Sequence, residues 1–504
     1  QTATAEAFTS FAPDWDNGPA LLKPIADVAF CEGINRIAFH GMTATRPQDG
    51  KPGYEFFAGT HFNPNVTWWN QAAGPWIGYL NRCQALLQSG LFAADALYYV
   101  GDGAPNLIPP KHVPAGLGKG YDYDACNEEV LLTRLSVKDG KIVLPDGMGY
   151  RVLVLPKTTK MPAPVAQKLR ELVQAGATVI GPKPLTDPGL KNHPQCDDEV
   201  KKIGEELWGG KTGKGRVFEG KTEREILLAD GIQPDFEAAG APDTFIDFIH
   251  RTTPEAEIYF LANRKDRPEK VTATFRQTGR QPELWNPMTG EQRDLPQFKM
   301  ENGRTSIPLE FDPNGSMFVV FRKPTTATSG EGSNFLSLET AQTLEGPWTV
   351  QFDKDWFYPA TNNVVVFDKL EDWTKRPEDA VKHFSGTAVY EKEFEFQPVA
   401  GKRHFLDLGS VSHSAKVRLN GKDLGVVWFA PRRVDITDAL KSGENELEIE
   451  VVNSWPNRLI GDAKLPREQR RTRTNITQYE KPENQTLVPS GLVGPVTLQT
   501  TQNH

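Results

Sequence analysis

Residues 39–69, FHGMTATRPQDGKPGYEFFAGTHFNPNVTWW, form the stretch around which the rest of this chain is interpreted. The stretch begins at the end of a short apolar run and continues as a long loop of aromatic rings, amides and imidazoles. Long loops with little periodicity are usually functional or disordered, and this one is too aromatic for disorder. Ring faces cover the apolar C–H face of a sugar, while polar groups orient its hydroxyls. The stretch therefore predicts a pocket for a polyhydroxylated ligand, with a well-packed Ω-like loop as the alternative.

The candidates for a sugar subsite share a ring or an amide that could stack on a sugar or bind its hydroxyls. They are His40, Tyr54, His61, Asn63, Trp68 and Trp69. All six lie within the loop or at its two ends.

The first 100 residues predict strands that alternate with helices. Strands are expected at 5–10 and 34–40, and helices at 21–33 and 75–92, where apolar residues recur at roughly helical spacing. This order resembles the last two units of a (β/α)8 barrel. Such barrels carry their chemistry at the C-terminal ends of the strands.

Glu6 is the acid/base candidate, because it and His40 would end neighbouring barrel strands beside the aromatic loop. Glycosidases keep a carboxylate in such a place. Asp14 and Asp16 follow in the next loop, where a carboxylate is usually solvated. No GxSxG motif supports a nucleophilic serine. The other barrel strands would have to precede Gln1, so we expect an incomplete barrel.

Residues 101–240 predict a second α/β domain of the flavodoxin or amidotransferase type. An apolar run at 152–155 and a helical face at 165–173 are followed by Gly176, a natural residue for a helix end, and by a further strand. The connection 156–164 lacks the glycines that let a backbone approach a pyrophosphate. We therefore favour a structural role over nucleotide binding.

The second half of the chain predicts two all-β domains. In residues 241–325 apolar residues alternate with polar ones, which indicates a small β-sandwich, and a polar linker follows at 323–333. Residues 326–504 predict a galactose-binding-like jelly-roll sandwich, with the hairpin dipeptide Asn420-Gly421.

A set of aromatic and polar residues in the last domain could form a sugar patch, but we favour a buried corner that holds this domain to its neighbours. The set is Trp428, Arg432, Arg433, Asn453, Trp455 and Asn457. A second polar set, Asp122, Asp124, Asn127 and Glu128, has enough oxygens for Ca²⁺ but lacks the spacing of an EF-hand. We interpret it as a loop and a helix cap.

Composition limits the class of protein. The net charge of −8 over 504 residues speaks against nucleic acid and anionic membranes as partners, and no run of about 18 apolar residues predicts a membrane span. The four cysteines are widely spaced and form no CxxC or metal-ligand pattern. No signal peptide begins the chain, which we take for a mature or truncated product.

Several segments resemble glycoside hydrolase family 106, the bacterial α-L-rhamnosidases, and residues 34–69 are the most specific of them. The segments are AEAFTS (5–10), INRIAFHGMTATRPQDGKPGYEFFAGTHFNPNVTWW (34–69), LNRCQALLQSGLFAADALYYVGDGAPN (80–106), GYDYDACNEEVLLTRLSVKDGKIVLPDG (120–147), YFLANR (259–264) and NGKDLGVVWFAPRRVDIT (420–437). The last domain also resembles the galactose-binding-like sandwiches of many β-glycosidases. This similarity is the less specific one.

The resemblance implies an inverting hydrolase on a (β/α)8 barrel with β-rich accessory domains. In such enzymes an acid protonates the leaving oxygen, and a base about 6.5–9.5 Å from it activates water. By position Glu6 resembles the base, and the acid is expected upstream of Gln1. The family also implies Ca²⁺ near the substrate hydroxyls, with ligands that cannot be assigned to residues here, and a periplasmic or secreted location.

Our hypothesis is the C-terminal half of an α-L-rhamnosidase that acts on rhamnose-containing plant polysaccharides or glycosides, with the N-terminal half of the same enzyme as its partner. The alternatives are a retaining β-galactosidase-like enzyme, which has similar accessory domains, and a non-catalytic carbohydrate-binding or scaffold protein. The anomer of the first product separates the two enzymes. A scaffold would bind sugar without turnover.

Overall fold

The structure is a computed structural model that describes residues 2–10, 15–56, 62–105, 110–112 and 114–502. The chain combines α/β structure in its first half with all-β structure in its second. The predicted combination of α/β and all-β parts is therefore confirmed. Among the described residues, no helix has both the length and the apolar character needed to cross a bilayer.

The first unit contains one pair of parallel strands covered by two helices. Its elements are β1 Thr4–Ala7, α1 Pro19–Cys31, β2 Arg36–Phe39, β3 Pro52–Gly53, α2 Trp69–Leu87 and β4 Leu91–Phe92. Strands β1 and β2 are parallel, with Glu6 opposite Ala38. The two βα units that the sequence predicts are present. Strand β2 ends one residue before the predicted end at His40, whereas β1 ends at Ala7, three residues before the predicted end at Ser10.

Helix α2 differs most from its prediction at 75–92. It begins at Trp69, because the buried side chains of Ala72 and Ala73 extend its apolar face ahead of Pro75. It ends at Leu87, since the apolar pair that follows forms β4, an edge strand of a sheet in the next β domain. Apolar spacing alone does not distinguish a last helical turn from a short strand.

The second unit is a five-stranded parallel sheet with helices. Its elements are β5 Ala96–Tyr99, β6 Tyr123–Cys126, α3 Glu128–Arg134, β7 Ser136–Lys138, β8 Lys141–Val143, β9 Gly149–Tyr150, β10 Val152–Val154, α4 Ala163–Ala175, β11 Thr178–Ile180, α5 Gln195–Trp208, β12 Arg216–Phe218 and α6 Glu223–Ala229. The strand order β12-β11-β10-β5-β6 is the flavodoxin-like order. Strand β5 lies before the predicted boundary at residue 100.

The third unit is a sandwich of two antiparallel sheets. Its strands are β13 Phe236–Ala239, β14 Ile246–Thr252, β15 Glu257–Asn263, β16 Glu269–Phe275, β17 Arg280–Trp285, β18 Gln292–Asp294, β19 Phe298–Glu301, β20 Arg304–Phe311, β21 Ser316–Pro324 and β22 Ser329–Gly330. Strand β22 pairs with β19, so part of the predicted linker at 323–333 belongs to this sheet. Backbone hydrogen bonds to an edge strand do not depend on apolar side chains, which is why a polar segment can join it.

The fourth unit is also a sandwich of two sheets. Its elements are β23 Leu338–Thr343, β24 Trp348–Phe352, β25 Val364–Phe367, α7 Asp379–Lys382, β26 Thr387–Phe396, β27 His404–Asp407, β28 Ser410–Val411, β29 Ser414–Leu419, β30 Lys422–Val427, β31 Arg433–Asp435, β32 Gly443–Val452, α8 Pro456–Ala463, β33 Arg473–Thr474, β34 Leu492–Gly494 and β35 Thr497–Thr501. The predicted hairpin is confirmed, because β29 and β30 flank Asn420 (φ 52°) and Gly421 (φ 77°). Positive φ at both positions is what a type I′ turn requires.

The first and fourth units share an apolar core. Trp76 of α2 packs against Trp428 with ring centroids 5.6 Å apart, and Tyr79 lies 6.1 Å from the same indole. Strand β3 pairs in parallel with β33 of the fourth unit. The C-terminal sandwich therefore packs directly on the unit that carries the candidate site.

Candidate active site

Strands β1 and β2 present two different faces. Ala7 and Ile37 pack against the core that contains residues of α1 and α2. Side chains alternate along a strand, so Glu6 and Ala38 point the other way, and both are exposed. In a βα barrel the face away from the helices is the interior, and its C-terminal end carries the chemistry. In the barrel that the sequence predicts, Glu6 would therefore lie on the interior face, near the C-terminal end of its strand.

The side-chain carboxylate of Glu6 makes no hydrogen bond or ion pair with any other residue that the structure describes. The residues that share its face of the two strands are Thr4, Arg36 and Ala38. Glu6 is thus the one carboxylate on the described part of this face. It is free to act on a water molecule or a substrate.

His40 directly follows Phe39, the last residue of β2. Its backbone N–H donates to the Ala7 carbonyl at 2.9 Å, which extends the pairing of the two strands by one residue. Its ring Nδ1 lies 3.3 Å from the hydroxyl of Thr9, and its ring meets the edge of Phe56 at 5.6 Å. The structure therefore brings His40 together with two residues that were not among the predicted site residues.

Tyr54 and Phe56 provide the exposed rings of the loop. Their exposed fractions are 47% and 62%, while Glu55 between them is buried. In an extended segment residues two apart lie on the same side, and this alternation is the signal that could have identified Phe56. No comparable signal marks Thr9 in the sequence. Phe56 beside His40, and Tyr54 two residues before it, offer exposed ring faces on which a sugar could stack.

The predictions for Trp68 and Asn63 as sugar-contacting residues are wrong. Trp68 is 1% exposed and packs edge-on against Phe62 at 6.1 Å, so its ring belongs to the core. Asn63 is 2% exposed, and its Oδ1 accepts the backbone N–H of Asn65 at 2.8 Å, as in an Asx turn. Both were predicted from residue type alone, which does not indicate exposure.

Trp69 and His61 complete the predicted set. Trp69 is half-buried, packs against the core and begins α2, so its ring is available only in part. His61 and Asp14 lie outside the described residues. Asp16 accepts a hydrogen bond from the Ser454 hydroxyl and lies 3.3 Å from the His413 ring, so it joins the first unit to the C-terminal sandwich.

Four of the six residues of the polar corner are buried, as we favoured, whereas Arg432 and Arg433 are partly exposed. The Trp455 indole N–H donates to the Asn65 carbonyl at 2.8 Å, and both Trp428 and Trp455 are almost fully buried. The Asn453 amide donates to the Phe384 carbonyl at 2.8 Å. The two tryptophans connect the sandwich to the first unit, while the Asn453 bond holds the sandwich together internally.

The acidic cluster at 122–128 includes a helix cap, as interpreted from the sequence, but the predicted loop is wrong, because Tyr123–Cys126 form strand β6 and pair with β5. Asp122 pairs with the buried ammonium of Lys111 at 2.6 Å, and burial raises the pKa of this carboxyl to about 6 although the ammonium opposes the rise. Asn127 caps α3 by accepting the N–H of Val130. No group of three His, Cys, Asp or Glu side chains suited to a metal ion occurs within the described ranges. Ca²⁺ also binds backbone and amide oxygens, so the Ca²⁺ site that the resemblance implies stays a prediction.

The family model for glycoside hydrolase family 106, described as alpha-L-rhamnosidase, matches residues 1–300. This match covers more than half of the chain. The chain belongs to glycoside hydrolase family 106. A second model, described as a glycosyl hydrolase 2 galactose-binding domain-like family, matches residues 348–485, within the C-terminal sandwich.

Two relatives of this family member are informative. The solved structure of a rhamnosidase from Novosphingobium sp. PP1Y superposes with a TM-score of 0.89 at 35% identity, over 99% of this chain and 48% of that one. A Formosa agariphila protein named "Putative beta-glucuronidase" is 27% identical over 98% of this chain and 62% of its own length. The chain thus spans about half of the first relative and less than two thirds of the second.

Proposed function

We propose that this chain is the part of an α-L-rhamnosidase that carries the general base and part of the sugar subsite. Family membership and the likeness to the Novosphingobium rhamnosidase support the activity. The position of Glu6 is the single observation that carries the assignment of the base. Glu6 is exposed, lies on the strand face away from the helices, and precedes Ala7, the last residue of β1.

The chemistry proposed is inversion at the anomeric carbon. The Glu6 carboxylate removes a proton from a water molecule as that water attacks, while an acid on the opposite side of the ring protonates the leaving oxygen. His40, Tyr54 and Phe56 would border the rhamnose, with the rings against its apolar face and the imidazole near its hydroxyls. The acid and the Ca²⁺ remain predictions from the family resemblance.

The substrate would be a terminal α-L-rhamnoside of a plant polysaccharide or glycoside. The test is L-rhamnose release from an aryl α-L-rhamnoside by this chain. A second, longer chain is assayed in parallel. It also carries the part of the Novosphingobium rhamnosidase that this chain does not cover. Glu6→Gln should lower turnover by about 10²–10⁴-fold in whichever chain is active. Glu171→Gln, an exposed carboxylate on α4, is the matched control and should leave turnover unchanged.

The anomer formed first, followed by NMR, tests inversion. A β-rhamnose product supports a base and a water, whereas an α-rhamnose product contradicts that role for Glu6 and supports a retaining enzyme. An aryl β-glucuronide is the second substrate, because the Formosa agariphila relative bears that name. Rhamnose binding without turnover in both chains would favour a non-catalytic binding protein.

A further inference from the structure

The segment that carries Tyr54 and Phe56 has little regular structure of its own. Between β2 and α2 the described residues contain only a short 3₁₀ turn at Pro47–Asp49 and the two-residue strand β3. Exposed rings on such a segment would sample many orientations unless another part of the molecule holds the backbone. Whether the segment can bind a sugar therefore depends on its contacts with other parts of the molecule.

The C-terminal sandwich supplies those contacts through β33 and the residue that follows it. Pro52 and Gly53 pair in parallel with Arg473 and Thr474, and the Arg473 N–H donates to the Lys51 carbonyl at 2.7 Å. Gly53 has φ +95°, and a Cβ there would lie 2.3 Å from the Thr45 side chain. Position 53 therefore requires a glycine, because the segment itself folds back closely against Thr45 there.

Asn475 continues this pairing with its side chain. Its Oδ1 accepts the backbone N–H of Glu55 at 2.8 Å, and its Nδ2 donates to the Glu55 carbonyl at 2.9 Å. One side-chain amide thus satisfies both backbone groups of the residue between the two exposed rings. The geometry is that of one more rung in a β ladder, and it restricts the backbone on both sides of Glu55.

We propose that Asn475 is a positioning residue for the sugar subsite, contributed by the C-terminal sandwich to the rings of Tyr54 and Phe56. This inference rests on the proposed function, since it assumes that these rings bind rhamnose. Asn475 acts through the backbone of Glu55 and does not itself need to contact the sugar. It gives the galactose-binding-like domain a role in substrate binding that requires no sugar site within that domain.

The test compares Asn475→Ala with the unaltered chain in two measurements. Hydrogen exchange of the peptide that contains Glu55 should become about tenfold faster, because its amide loses its acceptor. The dissociation constant for L-rhamnose, measured by NMR titration, should rise about fivefold to tenfold, and in an active chain KM should rise by a similar factor with kcat within about twofold. Asn484→Ala is the matched control. Asn484 also donates to a backbone carbonyl, that of Gln478 at 3.1 Å, and it lies in the same region of the chain.

Asn475→Asp is the rescue variant, because it keeps an oxygen to accept the Glu55 N–H but loses the donor. The Glu55 amide hydrogen should exchange more slowly in Asn475→Asp than in Asn475→Ala. Faster exchange in Asn475→Ala without weaker rhamnose binding would overturn the positioning role, as would weaker binding without faster exchange. Failure of the unaltered chain to bind rhamnose would instead sink the proposed function and this inference with it.

Discussion

The imidazole of His250 stacks on the ring of Tyr259, with centroids 3.9 Å apart and planes 13° from parallel. Its Nδ1 contacts Asp235 at 2.8 Å and its Nε2 contacts Glu257 at 2.9 Å, so each ring nitrogen faces a carboxylate. Asp235 also faces Arg276, which binds Asp95 just ahead of β5. The buried network therefore joins the parallel sheet to the adjacent sandwich. Burial opposes a charged imidazole here, but the carboxylates outweigh it and raise the pKa of His250 to about 9.

The first prediction concerns stability against pH. The pKa of His250 in the folded chain exceeds its pKa of about 6.5 in an unfolded chain. The charged imidazole therefore stabilises the fold fully below pH 6.5. That contribution is lost as the pH rises through 9. The difference corresponds to about 3 kcal/mol. The free energy of unfolding is measured by urea denaturation at pH 6 and at pH 10. We expect it to fall between these pH values in the unaltered chain by about this amount beyond any fall in His250→Gln.

His193→Gln is the control for this experiment. The His193 side chain is 54% exposed and its nearest carboxylate, on Asp197, is 3.7 Å away. Its pH profile should match that of the unaltered chain. A His250→Gln profile parallel to that of the unaltered chain would contradict the assignment.

The second prediction concerns the buried pair of Lys111 and Asp122. The Lys111 ammonium also donates to the backbone carbonyl of Phe248 and lies 4.2 Å from the centre of the Phe248 phenyl ring. Asp122→Asn removes the charge partner and leaves the ammonium buried, which should cost about 3–5 kcal/mol of unfolding free energy. Lys111→Met with Asp122→Leu should cost less than Asp122→Asn alone, because no uncompensated charge remains. A double variant less stable than the single one would show that the pair itself stabilises the fold.

The third prediction concerns Trp68, which we place in the core. Trp68→Ala should lower the free energy of unfolding by about 3–5 kcal/mol, and Trp68→Phe should lower it by less, since a ring still fills the space. At temperatures where the variants remain folded, rhamnose binding should be unchanged in Trp68→Phe. Weaker binding by a folded Trp68→Phe would restore Trp68 to the sugar subsite.

The fourth prediction concerns Phe56, the most exposed of the loop's rings that the structure describes. Phe56→Ala should change the free energy of unfolding by less than about 0.5 kcal/mol, as exposed substitutions usually do. It should weaken rhamnose binding by about fivefold to tenfold, the loss of one stacking contact. Leu190→Ala, an exposed apolar side chain at 87% in the α/β unit, is the matched control for binding. Equal binding by Phe56→Ala and Leu190→Ala would remove Phe56 from the site.

Local sequence patterns were sufficient to predict the helices, strands and turns that form through interactions between neighbouring residues. The two βα units at the start were predicted because apolar spacing of 3.6 and short apolar runs are properties of a single segment. Glu6 and His40 follow from them, since both lie at or near the ends of their strands. The Asn420-Gly421 hairpin was predicted for the same reason, because its turn needs only two residues that accept positive φ.

The sequence by itself determined the family, the order of α/β and β parts, and the strand ends that carry Glu6 and His40. Only the tertiary structure decided which rings of the loop face solvent, with Trp68 in the core and Phe56 outside. It also showed that Asn475, 420 positions after Glu55, holds the loop. The physical reason is that a side chain's exposure and a loop's order depend on contacts between segments far apart in the chain. Residue type and spacing within one segment do not contain that information.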